Sequence, residues 1–170
     1  MMLAELNLVT KEQFTAFFST IFEHSPWVAS KAAEYRPFSS VEALHKTMCE
    51  IVRNSSEEDR VELFRAHPNL GDKLEMSAES IKEQNGAGLQ NLSAVEYESF
   101  QCLNKKYIET FGFPFIFAVR GNTKEDIHVA LTNRVNNSKQ NEYETALAEI
   151  FKIALFRLED CVNQHSESAR

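Results

Sequence analysis

Apolar residues recur every three or four positions through most of the chain, and proline, glycine or serine interrupts them at intervals. In "TKEQFTAFFSTIFEHS", Phe14, Phe17, Phe18, Ile21 and Phe22 fall on one face of a helix, since 3.6 residues complete a turn. Thr10 with Gln13 three positions later is a capping-box start for that helix, and Pro26 in "SPW" breaks it. Helix resumes after Pro37, with Val41, Leu44, Met48, Ile51 and Val52 as its apolar stripe. "SSEEDRVELFRA" opens with serine and acids, which suit the positive end of a helix dipole, and reads as helix up to Ala66. A shorter helix in "SAESIKEQNGAGL" is expected to end near Gly86 and Gly88. Ser93 with Glu96 caps the long amphipathic run "SAVEYESFQCLNKKYIETF". "TKEDIHVALTNRV" and "NEYETALAEIFKIALFRLEDCV" supply the last two helices.

One stretch departs from this period. "GFPFIFAVRG" is apolar from Phe113 to Val119 and holds a proline, so it is too short and too broken for an ordinary helix. It reads as a buried extended segment or a half-buried turn. There is no repeat and no low-complexity tract. The pattern predicts an all-α, single-domain bundle over residues 1–170, with about seven or eight helices and one short extended segment near 113–119.

Composition sharpens this picture. A chain of 170 residues can bury a core without staples, and 13 Phe make that core aromatic. Five Gly and four Pro leave little room for the turns of a many-stranded sheet. The net charge of −7 repels phosphate backbones and argues against nucleic acid as a partner. No apolar run reaches the roughly 18 residues that span a membrane. The N-terminal "MMLAELNLVTKEQF" is not a signal peptide and the terminal "SAR" is not a Ser-Lys-Leu address, so the expected location is the cytoplasm. Cys49, Cys102 and Cys161 form no CxxC pair and no zinc spacing; they read as reduced thiols serving as small core hydrophobes.

Four places carry candidate chemistry. The first is His67, which precedes a proline and is pushed out of helical geometry at a helix end. An imidazole there can exchange a proton near neutral pH, or it simply bonds the last helical carbonyls. The second is "SIKEQ", where Ser80, Glu83 and Gln84 put a hydroxyl, a carboxylate and an amide on one helix face. That trio could bind a polar ring or be an ordinary solvated face. The third is the 113–119 segment, whose backbone groups need partners that a ligand or the core can supply. The fourth is Arg157, crowded by the apolar residues of "IFKIALFRLED", where it either snorkels to solvent or grips an oxygen. His24, His45, His128 and His165 are scattered and read as surface or packing residues, and no spacing suits a metal.

"AHPNLGDK", "SAESIKEQNGAGL", "FGFPFIFAVRG" and a terminal helix with "IALFRL" occur in an order that resembles the OHCU decarboxylase family, from about Leu8 to Val162. The resemblance implies a carboxy-lyase that converts 2-oxo-4-hydroxy-4-carboxy-5-ureidoimidazoline to (S)-allantoin in urate breakdown. It further implies an all-α fold, no cofactor, no metal and a homodimer. Carried over by position, the family's acid/base histidine matches His67, with Pro68 beside it at the substrate. Its catalytic glutamate matches Glu83, and its substrate-binding Ser-x-x-Glu-Gln matches Ser80, Glu83 and Gln84. Its main-chain substrate contacts match Phe115, Ile116, Phe117, Ala118 and Val119, and its C-terminal arginine matches Arg157. An arginine bound mainly to the departing carboxylate would stabilise the ground state, so Arg157 is expected to face an oxygen that gains charge. Two alternatives stand beside this: a hydrolase of a related ureide using His67 and Glu83, and a helical interaction module with a dry or absent pocket near His67.

Overall fold

A computed structural model describes residues 1–72 and 76–167, and for 163–167 the backbone alone. Lys73, the side chain of His165 and the terminal "SAR" therefore lie outside the described residues. The described residues form nine α-helices and a 3₁₀ turn, with no strand among them. The all-α expectation is met, with slightly more helices than the periodicity suggested. The extra ones are α1 (Leu3–Leu6) and a division of the proline-flanked region into α3 (Trp27–Ala32) and a 3₁₀ turn (Ala33–Tyr35). The first expected helix is also shorter than its pattern. As α2 it runs Lys11–Phe17, and its capping box is formed by Gln13 N–H on Thr10 Oγ1 at 3.1 Å and Thr10 N–H on Gln13 Oε1 at 3.0 Å. Phe18, Ile21 and Phe22 then lie in turns but remain buried, so the apolar period reported burial correctly and helix length incorrectly.

The chain groups into two compact units, Met1–Leu63 with the chain from Phe151 onward, and Phe64–Ile150. In the first unit α3 packs on α2 and on α4 (Val41–Arg53). Its core holds Phe14, Phe18, Val28, Leu44, Met48 and Val52, with Ala154 and Leu158 from the later part of α9 (Lys139–Glu167). Arg36 ties the N-terminal turns down by donating to the carbonyls of Leu6, Val9 and Ala33.

The second unit holds α6 (Ala78–Gly86), α7 (Ala94–Phe111), α8 (Lys124–Arg134) and the earlier part of α9, and it receives the end of α5 (Glu57–Arg65). Its core is aromatic, as the Phe count suggested. Tyr107 meets Phe111, Phe113 and Phe115 at 4.5, 6.1 and 5.5 Å between centroids, and Phe64 meets Phe113 at 5.0 Å. Edge-on aromatic packing adds roughly 0.5–1.5 kcal/mol per pair beyond area burial. Phe113–Val119 has no regular secondary structure, and all but Phe117 are buried, so the expected extended apolar segment is present.

The cysteines correct one expectation. All three are free thiols, but none is a core residue: Cys49 and Cys161 are half-buried and Cys102 is exposed. The buried stripe of α7 is Phe100, Asn104, Tyr107 and Phe111, and Cys102 falls between its members, on the face turned to water.

Candidate active site

Helix α5 stops at Arg65, and the His67 N–H reaches back only three residues to the Phe64 carbonyl, at 3.2 Å. Pro68 accounts for the stop, because its ring disfavours helical geometry at His67 and it has no N–H to donate. Arg65 Nε donates to the Gly112 carbonyl at 3.0 Å, which fastens this helix end to the end of α7. Gly112 is there because α7 closes in a left-handed turn, φ +82°, with its N–H on the Ile108 carbonyl at 2.8 Å.

The loop after Pro68 is held from two further sides. Asn104 on α7 donates through Nδ2 to the Leu70 carbonyl at 2.9 Å, and the Gly71 N–H donates to Gln84 Oε1 at 3.0 Å. Gly71 has φ +78°, and a Cβ added to it would stand 3.0 Å from Leu92 Cδ1, so the residue is required both by conformation and by space. These ties place His67, 9% exposed, in the wall of a cleft of about 360 Å³. Pro68, Asn69 and Asp72 line it on the loop side, Phe113 and Pro114 opposite. That volume lies at the small end of the range for small-molecule sites.

The Ser-x-x-Glu-Gln helix is not a solvated face. Ser80 and Gln84 are buried and Glu83 is half-buried, as the first turns of α6 lie against the unit. Gln84 spends its amide on the Gly71 N–H and, through Nε2, on Met76 Sδ at 3.3 Å, so it braces the loop that carries His67. Among the described residues, Ser80, Glu83, Gln84 and Phe115–Val119 are not in the cleft lining, whereas Phe113 and Pro114, which lead into that segment, are.

The Phe115–Val119 segment has its carbonyls partly satisfied and its N–H groups open. The Ile116 carbonyl accepts from Arg134 Nη1 at 2.7 Å, and the Val119 carbonyl from the Asn122 N–H at 3.0 Å. No hydrogen bond among the described residues uses the N–H of Phe115, Ile116, Phe117, Ala118 or Val119. Buried N–H groups are nearly always paired in folded proteins, and these five donors have no partner among the described residues.

Arg157 belongs to the first unit, where it is 7% exposed and does not snorkel. Its Nη1 donates to the Thr20 carbonyl at 2.9 Å and its Nη2 pairs with Glu23 Oε2 at 3.0 Å. Glu23 itself is buried, and it precedes His24, which has φ +47°.

Sequence reasoning missed Arg65, Asn69, Asp72, Asn104 and Glu23, and also a buried set around Glu142. Glu142 Oε1 accepts from Tyr107 Oη at 2.6 Å and Arg134 Nε at 2.9 Å, while Oε2 accepts from Asn137 Nδ2 at 3.0 Å. Burial, then the bond to Glu142, pushes the Tyr107 phenol above its ordinary range, which keeps it a donor. The available signal was position. Asn104 stands on the α7 stripe, and Arg134 continues the α8 stripe of Ile127 and Leu131.

Among the described residues, no group of three or more His, Cys, Asp or Glu is placed to hold a metal ion. The cleft is thus of small-molecule size, with an imidazole in its wall, in an all-α unit. The OHCU decarboxylase family profile matches residues 7–159, and the chain belongs to that family. It is 44% identical over 164 residues to the uric acid degradation bifunctional protein PucL of Bacillus subtilis, covering 96% of this chain and 33% of that protein. It is 42% identical over 156 residues to the 2-oxo-4-hydroxy-4-carboxy-5-ureidoimidazoline decarboxylase of Halalkalicoccus jeotgali, with 92% and 89% covered. A crystal structure of (S)-allantoin synthase superposes with a TM-score of 0.79 at 31% identity, covering 95% of this chain and 54% of that one. The chain thus spans a third of the bifunctional relative and nearly all of the separate decarboxylase.

Proposed function

We propose that this chain decarboxylates 2-oxo-4-hydroxy-4-carboxy-5-ureidoimidazoline to (S)-allantoin in urate degradation. Membership of the family over residues 7–159 supports the reaction, and the buried His67 in the wall of a cleft of small-molecule size is the observation that carries it in this molecule. The substrate's name gives its chemistry: one ring carbon bears hydroxyl and carboxylate, and its neighbour bears the ureido arm. When the carbon–carboxylate bond breaks, its electron pair forms a double bond to the neighbouring ring carbon, and the C=N pair moves onto nitrogen. CO2 leaves. The nitrogen takes up a proton, the hydroxyl then gives up its proton to become a carbonyl, and a proton is added to the ureido-bearing carbon, so one proton is consumed overall. The ring itself absorbs the electrons, so the reaction needs no separate electron sink.

What remains for the protein is orientation, charge stabilisation and one-sided proton delivery. His67 is the proton donor in this reading, and its fixed place in the cleft wall accounts for a single enantiomer. Pro68 lies beside the substrate, Glu83 holds the proton path, and Ser80, Gln84 and the 115–119 backbone read the ring and ureido groups. Arg157 faces an oxygen that gains charge. A cytoplasmic homodimer with residues 1–170 as one domain completes the proposal. A species of twice 19.5 kDa in sedimentation and one cooperative unfolding transition are the outcomes expected of it.

The test generates the substrate in situ from urate with uricase and the following hydrolase, and follows (S)-allantoin by circular dichroism. Wild-type protein should give fast, enantioselective product, and folded His67→Ala none above the spontaneous rate. A wild-type trace no faster than spontaneous decay would sink the decarboxylase. Ammonia or ring-opened urea derivatives without CO2 would indicate the hydrolase.

A further inference from the structure

Resting on that reading, we propose that Arg134 is a positioning residue for the substrate-binding backbone: through the Ile116 carbonyl it sets the direction of the Phe117 N–H. The peptide unit between Ile116 and Phe117 is trans, since the cis bond among the described residues is Arg36–Pro37. A trans peptide is planar, so its C=O and N–H point in opposite directions and neither can turn alone. Arg134 Nη1 holds the Ile116 oxygen at 2.7 Å on one side. The Phe117 N–H is thereby aimed away from Arg134, and it is one of the five donors that no described residue uses.

The grip is itself held in place. Arg134 Nε is paired with Glu142 Oε1 at 2.9 Å, and Glu142 is fixed by Tyr107 and Asn137. The guanidinium carbon sits 4.5 Å from the centroid of the Phe115 ring, so the residue before the gripped peptide is steadied by the same side chain. Phe115 in turn packs on Phe117 at 6.0 Å with an interplanar angle of 11°. One arginine therefore fixes a carbonyl and a ring within a segment that has no helix or sheet ladder to fix it. A backbone N–H donating to the Ile116 carbonyl would also stiffen the segment. A charged fork anchored at a second point also removes rotation about the hydrogen bond.

The experiment compares wild-type, Arg134→Lys, Arg134→Ala with and without millimolar guanidinium, and Tyr107→Phe in the coupled dichroism assay. Each is assayed at a temperature well below its own unfolding midpoint. Folded Arg134→Lys is expected to lose roughly 10- to 100-fold in kcat/KM, because a donor displaced by about 1 Å costs on that order. Guanidinium should restore part of the Arg134→Ala loss. A lowered melting midpoint with wild-type kcat/KM, in folded Arg134→Lys, would make the arginine a stability element only and overturn the inference. If Arg134→Lys does not fold, Tyr107→Phe decides: a KM raised roughly two- to fivefold is expected of a loosened anchor, and unchanged kinetics overturns the inference. A wild type no faster than spontaneous decay fails the decarboxylase reading first, and this inference with it.

Discussion

Two buried arginines, one in each unit, pair with a glutamate at nearly the same distance, Arg134 with Glu142 at 2.9 Å and Arg157 with Glu23 at 3.0 Å. Their settings differ. Glu142 sits in the helix α9 and takes three donors on its two oxygens. Glu23 sits in a turn that forces the next residue, His24, to φ +47°, a region that non-glycine residues enter at a cost of roughly 1–2 kcal/mol. In the first pair, a brace, both charged residues stand on regular helices, Arg134 on α8 and Glu142 on α9. The second is presented by strained backbone, which tends to mark a site with work to do. The ion-pair distance is thus common to both arginines, and what differs is the backbone that carries the partner.

The largest expected effect tests the brace. Glu142→Ala leaves the Arg134 charge buried without its counter-ion and strips a partner from Tyr107 and Asn137. Breaking a buried pair in this way costs about 3–5 kcal/mol, readable as a lower midpoint in urea unfolding at constant slope. Glu142→Gln, which keeps acceptor and shape, should cost clearly less. Equal costs for the two would mean that the charge accounts for the whole brace and the retained acceptor and shape for none of it.

Next in size comes the other arginine. Arg157→Lys replaces a fork that reaches both Thr20 and Glu23 with a single point charge. We expect turnover to fall roughly 10- to 100-fold with a modest change in stability, as for the loss of a charge-stabilising donor. Unchanged turnover would reduce Arg157 to a second brace and erase the contrast.

Which of these features the sequence disclosed follows from what a one-dimensional pattern can carry. Helix caps were plain, because Thr10 with Gln13 and Ser93 with Glu96 act within four residues of chain. The apolar stretch at 113–119 was plain because it has neither period. His67 stood out because proline after it constrains the local backbone. Arg134 and Glu142 were hidden: each looks like a surface charge until the stripe on its helix is drawn and found to include it. Glu23 was hidden more deeply, since α2 ends at Phe17 and no helical register reaches it. Gln84 was seen as part of the Ser-x-x-Glu-Gln trio, whereas its bond to Gly71 was hidden because it spans thirteen residues.

A smaller effect probes the strained turn itself. Glycine adopts positive φ freely, so His24→Gly should relieve the turn, offset by the extra backbone entropy glycine loses on folding. A net gain of about 0.5–1 kcal/mol is expected, measured by denaturant midpoint. A loss of stability would show that the ring of His24, whose Nε2 lies 3.7 Å from Glu23 Oε1, holds the turn more than its backbone strains it.

The smallest effect uses the thiols as reporters on the two units. In the first unit, burial pushes Cys49 from near 9 up to about 12 and Cys161 up to about 11. At pH 8 these shifts leave roughly a thousandfold and a hundredfold less thiolate than an ordinary cysteine. Cys102 in the second unit is exposed on α7. Iodoacetamide at pH 8 should therefore place one adduct, on Cys102, long before the others, read by intact mass and peptide mapping. The sign for stability follows from the same shifts. Folded thiols that ionise late favour the folded state fully below pH 9, and that contribution is lost as pH rises from 9 through 11 and 12. Cys49→Ala with Cys161→Ala should flatten the alkaline fall in melting midpoint. Early labelling of Cys161, one helical turn beyond Arg157 on α9, would mean that this stretch of the helix opens to water, and it would weaken the case for a dry setting around the arginine.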